Sequence, residues 1–154
     1  MTQPAKTEDV DGVNPYGLTD EELLELRSVY RPDLFQDKVV LVTGAGSGLG
    51  KATAMLFARL GARLMVAGRD PDKLDRAAAL LCRTGAEVVT QTLTIRDPEQ
   101  VTALIDRTWT DLGPIDVLVN NAGGQFAQAA LGFSVKGWNA VIDTNLNGTW
   151  YMMQ

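Results

Sequence analysis

The stretch Val39-Val40-Leu41-Val42-Thr43-Gly44-Ala45-Gly46-Ser47-Gly48-Leu49-Gly50 decides the fold. Its four leading apolar residues, three of them β-branched, suit a short strand buried on both faces, and burial on both faces belongs to parallel sheets. The glycines behind them let the backbone reach positive φ and approach other groups closely. Ala54, Leu56, Phe57 and Leu60 then recur at helical spacing, and Gly61 suits the position just past a helix end. A strand, a glycine turn and a helix in that order aim the helix N–H groups at any anion lying beyond the strand.

Downstream the same alternation continues. Leu64–Ala67 predicts a second strand, and Asp70-Pro71 a helix with Asp as cap and Pro at its first position. Leu74, Ala77, Ala78 and Leu81 give that helix an apolar face that ends at Gly85, with Cys82 expected to be a small buried residue beside Leu81. Val88-Val89 marks the third strand, Asp97-Pro98 another capped helix that ends at Gly113-Pro114, and Ile115–Val119 the fourth strand. A last helical pattern starts near Val135. Strands alternating with capped helices imply an α/β fold, a Rossmann-type doubly wound parallel sheet with helices on both faces.

Upstream of Lys38 the composition changes. Residues 1–37 carry nine acids and three bases, a net charge of −6, whereas the remainder carries ten acids and eleven bases. The overall charge of −5 therefore belongs to an acidic N-terminal extension over 1–37, and the strand–helix alternation occupies 38–154. Residues 1–18 are polar and turn-rich, with Pro4, Gly12, Pro15 and Gly17, and are expected to be poorly ordered. Thr19-Asp20-Glu21-Glu22 reads as a capping box opening a short amphipathic helix marked by Leu23, Leu26 and Val29, with Tyr30 beside them and Pro32 just beyond its end.

Composition excludes several classes of function. With no histidine, no imidazole serves as metal ligand, general base or pH switch, and Ser–His or Cys–His nucleophile pairs are excluded. No cluster of positive charge suggests a nucleic-acid partner, and no apolar run approaches the ~20 residues of a membrane span. A lone Cys82 and an acidic N-terminus without a leader pattern point to the cytoplasm.

Two phosphate-binding patterns fail on the glycine turn. A Walker A loop needs a hydroxyl after Gly50-Lys51, where Ala52 stands, and Gly-x-Gly-x-x-Gly fails because Leu49 or Lys51 falls at the third glycine. Thr-Gly-x-x-x-Gly-x-Gly fits on Thr43, Gly44, Gly48 and Gly50. Asn120-Asn121-Ala122-Gly123 follows the fourth strand, and Asp143-Thr144-Asn145-Leu146 lies in the last helical pattern. With these motifs residues 38–154 resemble the short-chain dehydrogenase/reductase family.

The resemblance implies a nicotinamide dinucleotide held by Gly44, Ala45, Gly46, Ser47, Gly48, Leu49 and Gly50, with Thr94 and Ile95 bracketing the adenine. Thr94 stands where the family usually has Asp. Asn121, Ala122 and Gly123 are expected to line the cofactor, whereas the Asn120 amide is expected to bridge neighbouring strands. An acid at the end of the second strand accepts the ribose 2′-OH of NAD, while an Arg there accommodates the 2′-phosphate of NADP. Here the strand ends Ala67-Gly68-Arg69, which favours NADP(H); the alternative is that Arg69 is only a solvated charge.

By resemblance, Asn145 is the family's catalytic asparagine, holding a water in a proton relay, and a Tyr-x-x-x-Lys pair should follow it. Tyr151 has no lysine four residues on, so the 154 residues alone are expected to be inactive, a C-terminally truncated sheet carrying the cofactor half. Tyr151, Trp138 and Trp150 are expected to be packing residues.

Two branches are similar in local detail. Gly123-Gly124-Gln125-Phe126 and Lys136-Gly137-Trp138-Asn139 resemble trans-2-enoyl-CoA and 2,4-dienoyl-CoA reductases, and Tyr30-Arg31-Pro32-Asp33-Leu34-Phe35 resembles citronellol-type dehydrogenases. Either implies an apolar small-molecule substrate, acyl or terpenoid-like. A homo-oligomer is expected for the full-length family member, and an exposed apolar edge on the first and fourth strands of the truncated sheet. A non-catalytic nucleotide-binding or interaction module is the alternative function.

Overall fold

The computed structural model describes residues 17–125 and 128–154. Pro4, Gly12 and Pro15 of the turn-rich N-terminal tract, and Phe126, lie outside the described residues. Four strands, β1 (Val39–Thr43), β2 (Arg63–Gly68), β3 (Val88–Thr92) and β4 (Val117–Val119), form one parallel sheet in the order β3-β2-β1-β4. The register pairs Val40 with Leu64 on one side and with Val117 on the other.

That order, with right-handed connections, sets the helix layers. Right-handed crossovers from β1 to β2 and β2 to β3 step in one direction, so α2 (Gly48–Arg59) and α3 (Pro71–Cys82) share a face. The chain then jumps back across the sheet to β4, which sends α4 (Pro98–Asp111) to the other face. Strand alternation feeds both layers. Val40, Val42, Leu64 and Val66 pack with Met55, Ala58, Leu74 and Leu81 on one side. Val39, Leu41, Met65 and Ala67 pack with Val101, Leu104 and Met152 on the other. The apolar run of β1 thus has every residue buried, as its sequence predicts.

Both expected Asp caps form: Asp70 accepts from the Lys73 N–H, and Asp97 from the Glu99 and Gln100 N–H groups. Each precedes a proline at the helix start. Gly61 and Gly85 follow α2 and α3 at φ +90° and +87°, the left-handed geometry that an L side chain strains to adopt.

Four expectations need correction. The N-terminal helix α1 spans only Asp20–Glu25, and Leu26, Val29 and Tyr30 are exposed. Its capping box forms, and at its C-terminal end the Arg59 guanidinium donates to the Leu23 carbonyl at 3.2 Å and also to the carbonyl of Leu26, the residue after the helix. Asp20 pairs with Lys51, and Glu21 accepts two bonds from Arg83 at 2.7 and 3.0 Å. Leu23 docks the segment in the core cluster with Leu24 packed against it, and the ion pairs lie around that contact, so the helix ends once Leu23 is covered.

Cys82 is exposed, because Leu74, Ala77 and Leu81 already fill the inward stripe of α3 and the next residue rotates about 100° away. The expected edge on β1 is absent, since β2 and β4 flank it; among the described residues β3 and β4 are the outer strands. Trp138 and Trp150 are more than half exposed and so are not packed inside. Tyr151, by contrast, packs against the core layer that holds Met152.

The last helical pattern divides into α5 (Val135–Ile142), a wider π turn (Asp143–Asn147) and α6 (Gly148–Met153). An extra residue per turn rotates the side chains that follow relative to an ordinary helix. Gly148 permits the close approach there: a Cβ on it would lie 2.8 Å from Ile95 Cγ1.

Candidate functional site

Doubling back from β3 to β4 opens a crevice at the C-terminal ends of β1 and β4, where the crossover direction reverses. A cavity of about 650 Å³ occupies it. Its floor is the glycine turn, and its walls are the ends of β2 and β4 and the loop after β3.

Thr43 builds the floor. It is 1% exposed, and its hydroxyl donates to the Val119 carbonyl at 3.3 Å while accepting from the Asn121 and Ala122 N–H groups at 3.1 and 3.0 Å. All the bonding capacity of one buried hydroxyl therefore ties β1 to the chain leaving β4. Asn121 completes the tie, its Nδ2 donating to the Thr43 carbonyl at 2.9 Å. The strand-bridging amide is thus Asn121, not Asn120 as expected. Asn120 Oδ1 is buried with no hydrogen-bond partner among the described residues.

The turn itself explains its glycines. A Cβ on Gly50 would meet Asn121 Nδ2 at 2.5 Å and the Gly44 carbonyl carbon at 2.8 Å. Gly44 has φ +69°, and its N–H donates to the Ala67 carbonyl at 2.7 Å. A side chain at either position would fill the space between the turn and the helix it opens. The turn is a cradle that only bare backbone leaves open.

The start of α2 differs from those of α3 and α4. Asp70 and Asp97 cap the latter two, whereas Ser47 at the N-cap of α2 makes no side-chain cap bond, and no acid stands in the first turn. The orphan N–H groups of α2 and the Ser47 hydroxyl accordingly remain available to an external anion at the positive end of the helix dipole. Ser47, Leu49 and Gly50 line the cavity. Three cations, Arg69, Lys73 and Arg96, border it with one carboxylate, Asp70. The open helix N-terminus and the positive rim together suit an anionic ligand.

Of the residues the sequence singled out, Gly44, Gly46, Ser47, Leu49, Gly50, Arg69, Thr94, Ile95, Asn121, Ala122 and Gly123 all line this one cavity. Ala45 does not. It is fully buried in the core, and its N–H joins that of Gly44 on the Ala67 carbonyl. Gly48 lies outside the lining too, serving the turn through φ +54°. Asn145 sits in the π turn beside the cavity. Its Nδ2 donates to the Gly124 and Val141 carbonyls at 2.7 and 2.9 Å, and its Oδ1 accepts from the Gly124 N–H at 3.1 Å. Both side-chain donors are therefore occupied, one holding the loop after β4 and the other bonding back to α5. Thr94 uses its N–H on Gln100 Oε1 at 3.0 Å.

Sequence reading missed Lys73, Arg96, Leu93 and Thr144 as lining residues. Arg96 lies two residues past Thr94 and 3.7 Å from Asp143, a pairing that no spacing signals. Lys73 is four residues beyond Arg69, yet only the packing of α3 on the glycine turn brings it to the cavity.

The parallel sheet and the cavity at its switch point define a Rossmann-like fold with a ligand crevice at its carboxyl edge. The family model described as short chain dehydrogenase matches residues 38–154, and the chain belongs to that family, which uses nicotinamide cofactors. It is 34% identical over 132 residues to a peroxisomal 2,4-dienoyl-CoA reductase of Danio rerio, covering 85% of this chain and 44% of the relative. Its structure resembles the citronellol catabolism dehydrogenase AtuB of Pseudomonas aeruginosa PAO1, with TM-score 0.78, 36% identity, and coverage of 82% of this chain and 52% of the other. A solved xylitol dehydrogenase bound to NAD+ matches with TM-score 0.75 and 31% identity, over 77% of this chain and 46% of its own. The chain spans about half the length of the curated relatives it matches.

Proposed function

We propose that residues 38–154 form the cofactor-binding half of an NADP(H)-dependent oxidoreductase, with 1–37 an acidic extension, and that catalysis needs residues beyond these 154. The observation that carries the reading is the uncapped start of α2, opening on a cavity with Arg69 at its rim. A bound nicotinamide dinucleotide supplies or accepts hydride. The chain's own part is to bind and orient. The turn from Gly44 to Gly50 takes the pyrophosphate, Thr94 and Ile95 bracket the adenine, and Asn121, Ala122 and Gly123 form the wall beyond β4. Arg69 pairs with the ribose 2′-phosphate, and the place of the NAD-selecting carboxylate is held by Gly68. Asn145 holds the loop after β4 in register through Gly124. A relay water at this residue is left the free lone pair of Oδ1 or a backbone carbonyl of the π turn.

Substrates are apolar alcohols or carbonyls, or enoyl thioesters. The dienoyl-CoA reductase and citronellol catabolism names of two similar proteins support that class. The exposed Trp138, Leu146, Trp150 and Met153 support homo-oligomerisation of the full-length protein, which size-exclusion chromatography tests; a monodisperse monomer refutes it. We place the protein in the cytoplasm on its residue usage, although the Danio rerio relative carries a peroxisomal name. No helix among the described residues is long and apolar enough to cross a membrane.

The test of cofactor choice is the Kd of NADPH against that of NADH. Preference for NADPH is expected, and preference for NADH overturns the reading. A second reading is a nucleotide-binding module without catalysis. Carbonyl or enoyl turnover by the 154 residues alone, lost in Asn145→Ala, would contradict both.

A further inference from the structure

We propose that Lys73 is a specificity-determining residue, forming with Arg69 a two-cation clamp on the 2′-phosphate of the dinucleotide. The proposal rests on the NADP(H) reading above and adds a residue to it. The geometry starts at Gly46, which has an ordinary φ and is glycine for reasons of space. A Cβ there would lie 3.0 Å from Lys73 Cβ and 3.4 Å from the Lys73 carbonyl carbon. The first turn of α3 is therefore seated directly on the glycine turn, and the Lys73 side chain begins at the cavity wall.

Its ammonium is nearly free. The nearest carboxylate oxygen is Asp70 Oδ2 at 3.9 Å, in a pair whose side chains are both about half exposed. Such a pair holds the lysine weakly. Asp70 itself is fixed, because its Oδ1 accepts the Lys73 N–H at 3.1 Å as the cap of α3. The Arg69 side chain makes no hydrogen bond or ion pair with any described residue. Two unsatisfied cations thus flank one immobile carboxylate at the cavity rim, while Arg96, the third cation, faces Asp143.

A phosphate monoester carries about −1.5 to −2 charges at pH 7, so one guanidinium leaves it under-neutralised. Arg69 matches two of its oxygens as a planar fork, and Lys73 adds a point charge from a flexible stem. Lys73 has a second effect through Asp70. It offsets the carboxylate that would otherwise repel the phosphate.

NADPH and NADH differ only in that phosphate, so their Kd ratio isolates the clamp. In the full chain, Lys73→Gln is expected to cut the preference for NADPH about tenfold, leaving NADH affinity within about twofold. Lys73→Arg should retain most of the preference, and Arg69→Gln should lose at least as much as Lys73→Gln. An unchanged urea midpoint confirms that each variant is folded. Wild type without preference for NADPH refutes the NADP(H) reading and the clamp with it. Wild-type preference that Arg69→Gln abolishes and Lys73→Gln leaves intact refutes the clamp alone. Equal weakening of NADPH and NADH by Lys73→Gln also refutes it, placing the lysine on the shared pyrophosphate.

Discussion

An alanine at position 50 would place its Cβ 2.5 Å from Asn121 Nδ2 and 2.8 Å from the Gly44 carbonyl carbon, with Gly44 O closer still. Real Cβ contacts essentially never fall below 3.0 Å, and two of these obstacles are backbone atoms. Relief requires the first turn of α2 to withdraw from the turn by roughly 0.5–1 Å in a close-packed interior. Overpacking of this kind costs about 1–3 kcal/mol. Displacing the Asn121 amide also weakens its bond to the Thr43 carbonyl, about 1 kcal/mol. Alanine recovers about 1 kcal/mol of helix propensity over glycine. The net loss in Gly50→Ala is roughly 1–3 kcal/mol, read as a lower urea midpoint at unchanged m-value. Gly85→Ala is the comparator. It suffers left-handed strain at φ +87° with nothing within 4 Å of its Cβ, so it should lose stability without altering the cavity. Matched for stability, Gly50→Ala should bind NADPH at least tenfold more weakly and Gly85→Ala normally. A Gly50→Ala protein with wild-type midpoint and wild-type NADPH affinity would refute the close-approach argument.

Other residues give further tests. Thr43→Val strands the buried Asn121 and Ala122 N–H groups and should cost roughly 2–4 kcal/mol by chemical denaturation, while Thr43→Ser should keep most of the stability. Thr19→Ala removes the capping box of α1, worth about 1 kcal/mol locally, so hydrogen exchange at the Leu23 amide should quicken with little change in global unfolding. Lys38 and the Val39 N–H hold the Asp116 carboxyl below its ordinary pKa. Its contribution is therefore present above the unfolded value near ~3.9 and lost as pH falls through the lower folded one. Wild type and Asp116→Asn should differ in urea midpoint at pH 6 and converge in acid. Gly68→Asp has room, since its Cβ would lie 3.5 Å from Leu74 Cδ2, and should shift binding from NADPH toward NADH; unchanged selectivity would count against the role given to this strand end.

How much of this was legible in the sequence varies by feature. Strands β1 and β2 were plain because parallel strands buried on both faces need uninterrupted apolar runs, and Val39–Val42 and Leu64–Ala67 supply them. Asp70-Pro71 and Asp97-Pro98 marked two helix starts because cap and ring act within a single turn. β3 was harder to bound, since Thr90, Gln91 and Thr92 belong to an outer strand that needs no apolar face. The length of α1 was overestimated because the apolar spacing of Leu26, Val29 and Tyr30 implied a surface to cover, and distant Arg59 settled the chain there instead.

The sequence by itself determined the βα alternation and the glycine turn, because each depends on neighbours within a few positions. Tertiary structure decided the rest. It made Asn121 the bridge between β1 and β4, turned Asn145 onto the Gly124 backbone, exposed Cys82 and carried Lys73 to the cavity rim. Each of these depends on which faces meet when the chain crosses back over the sheet. That crossing joins residues as far apart as Thr43 and Asn121, and no local spacing encodes it.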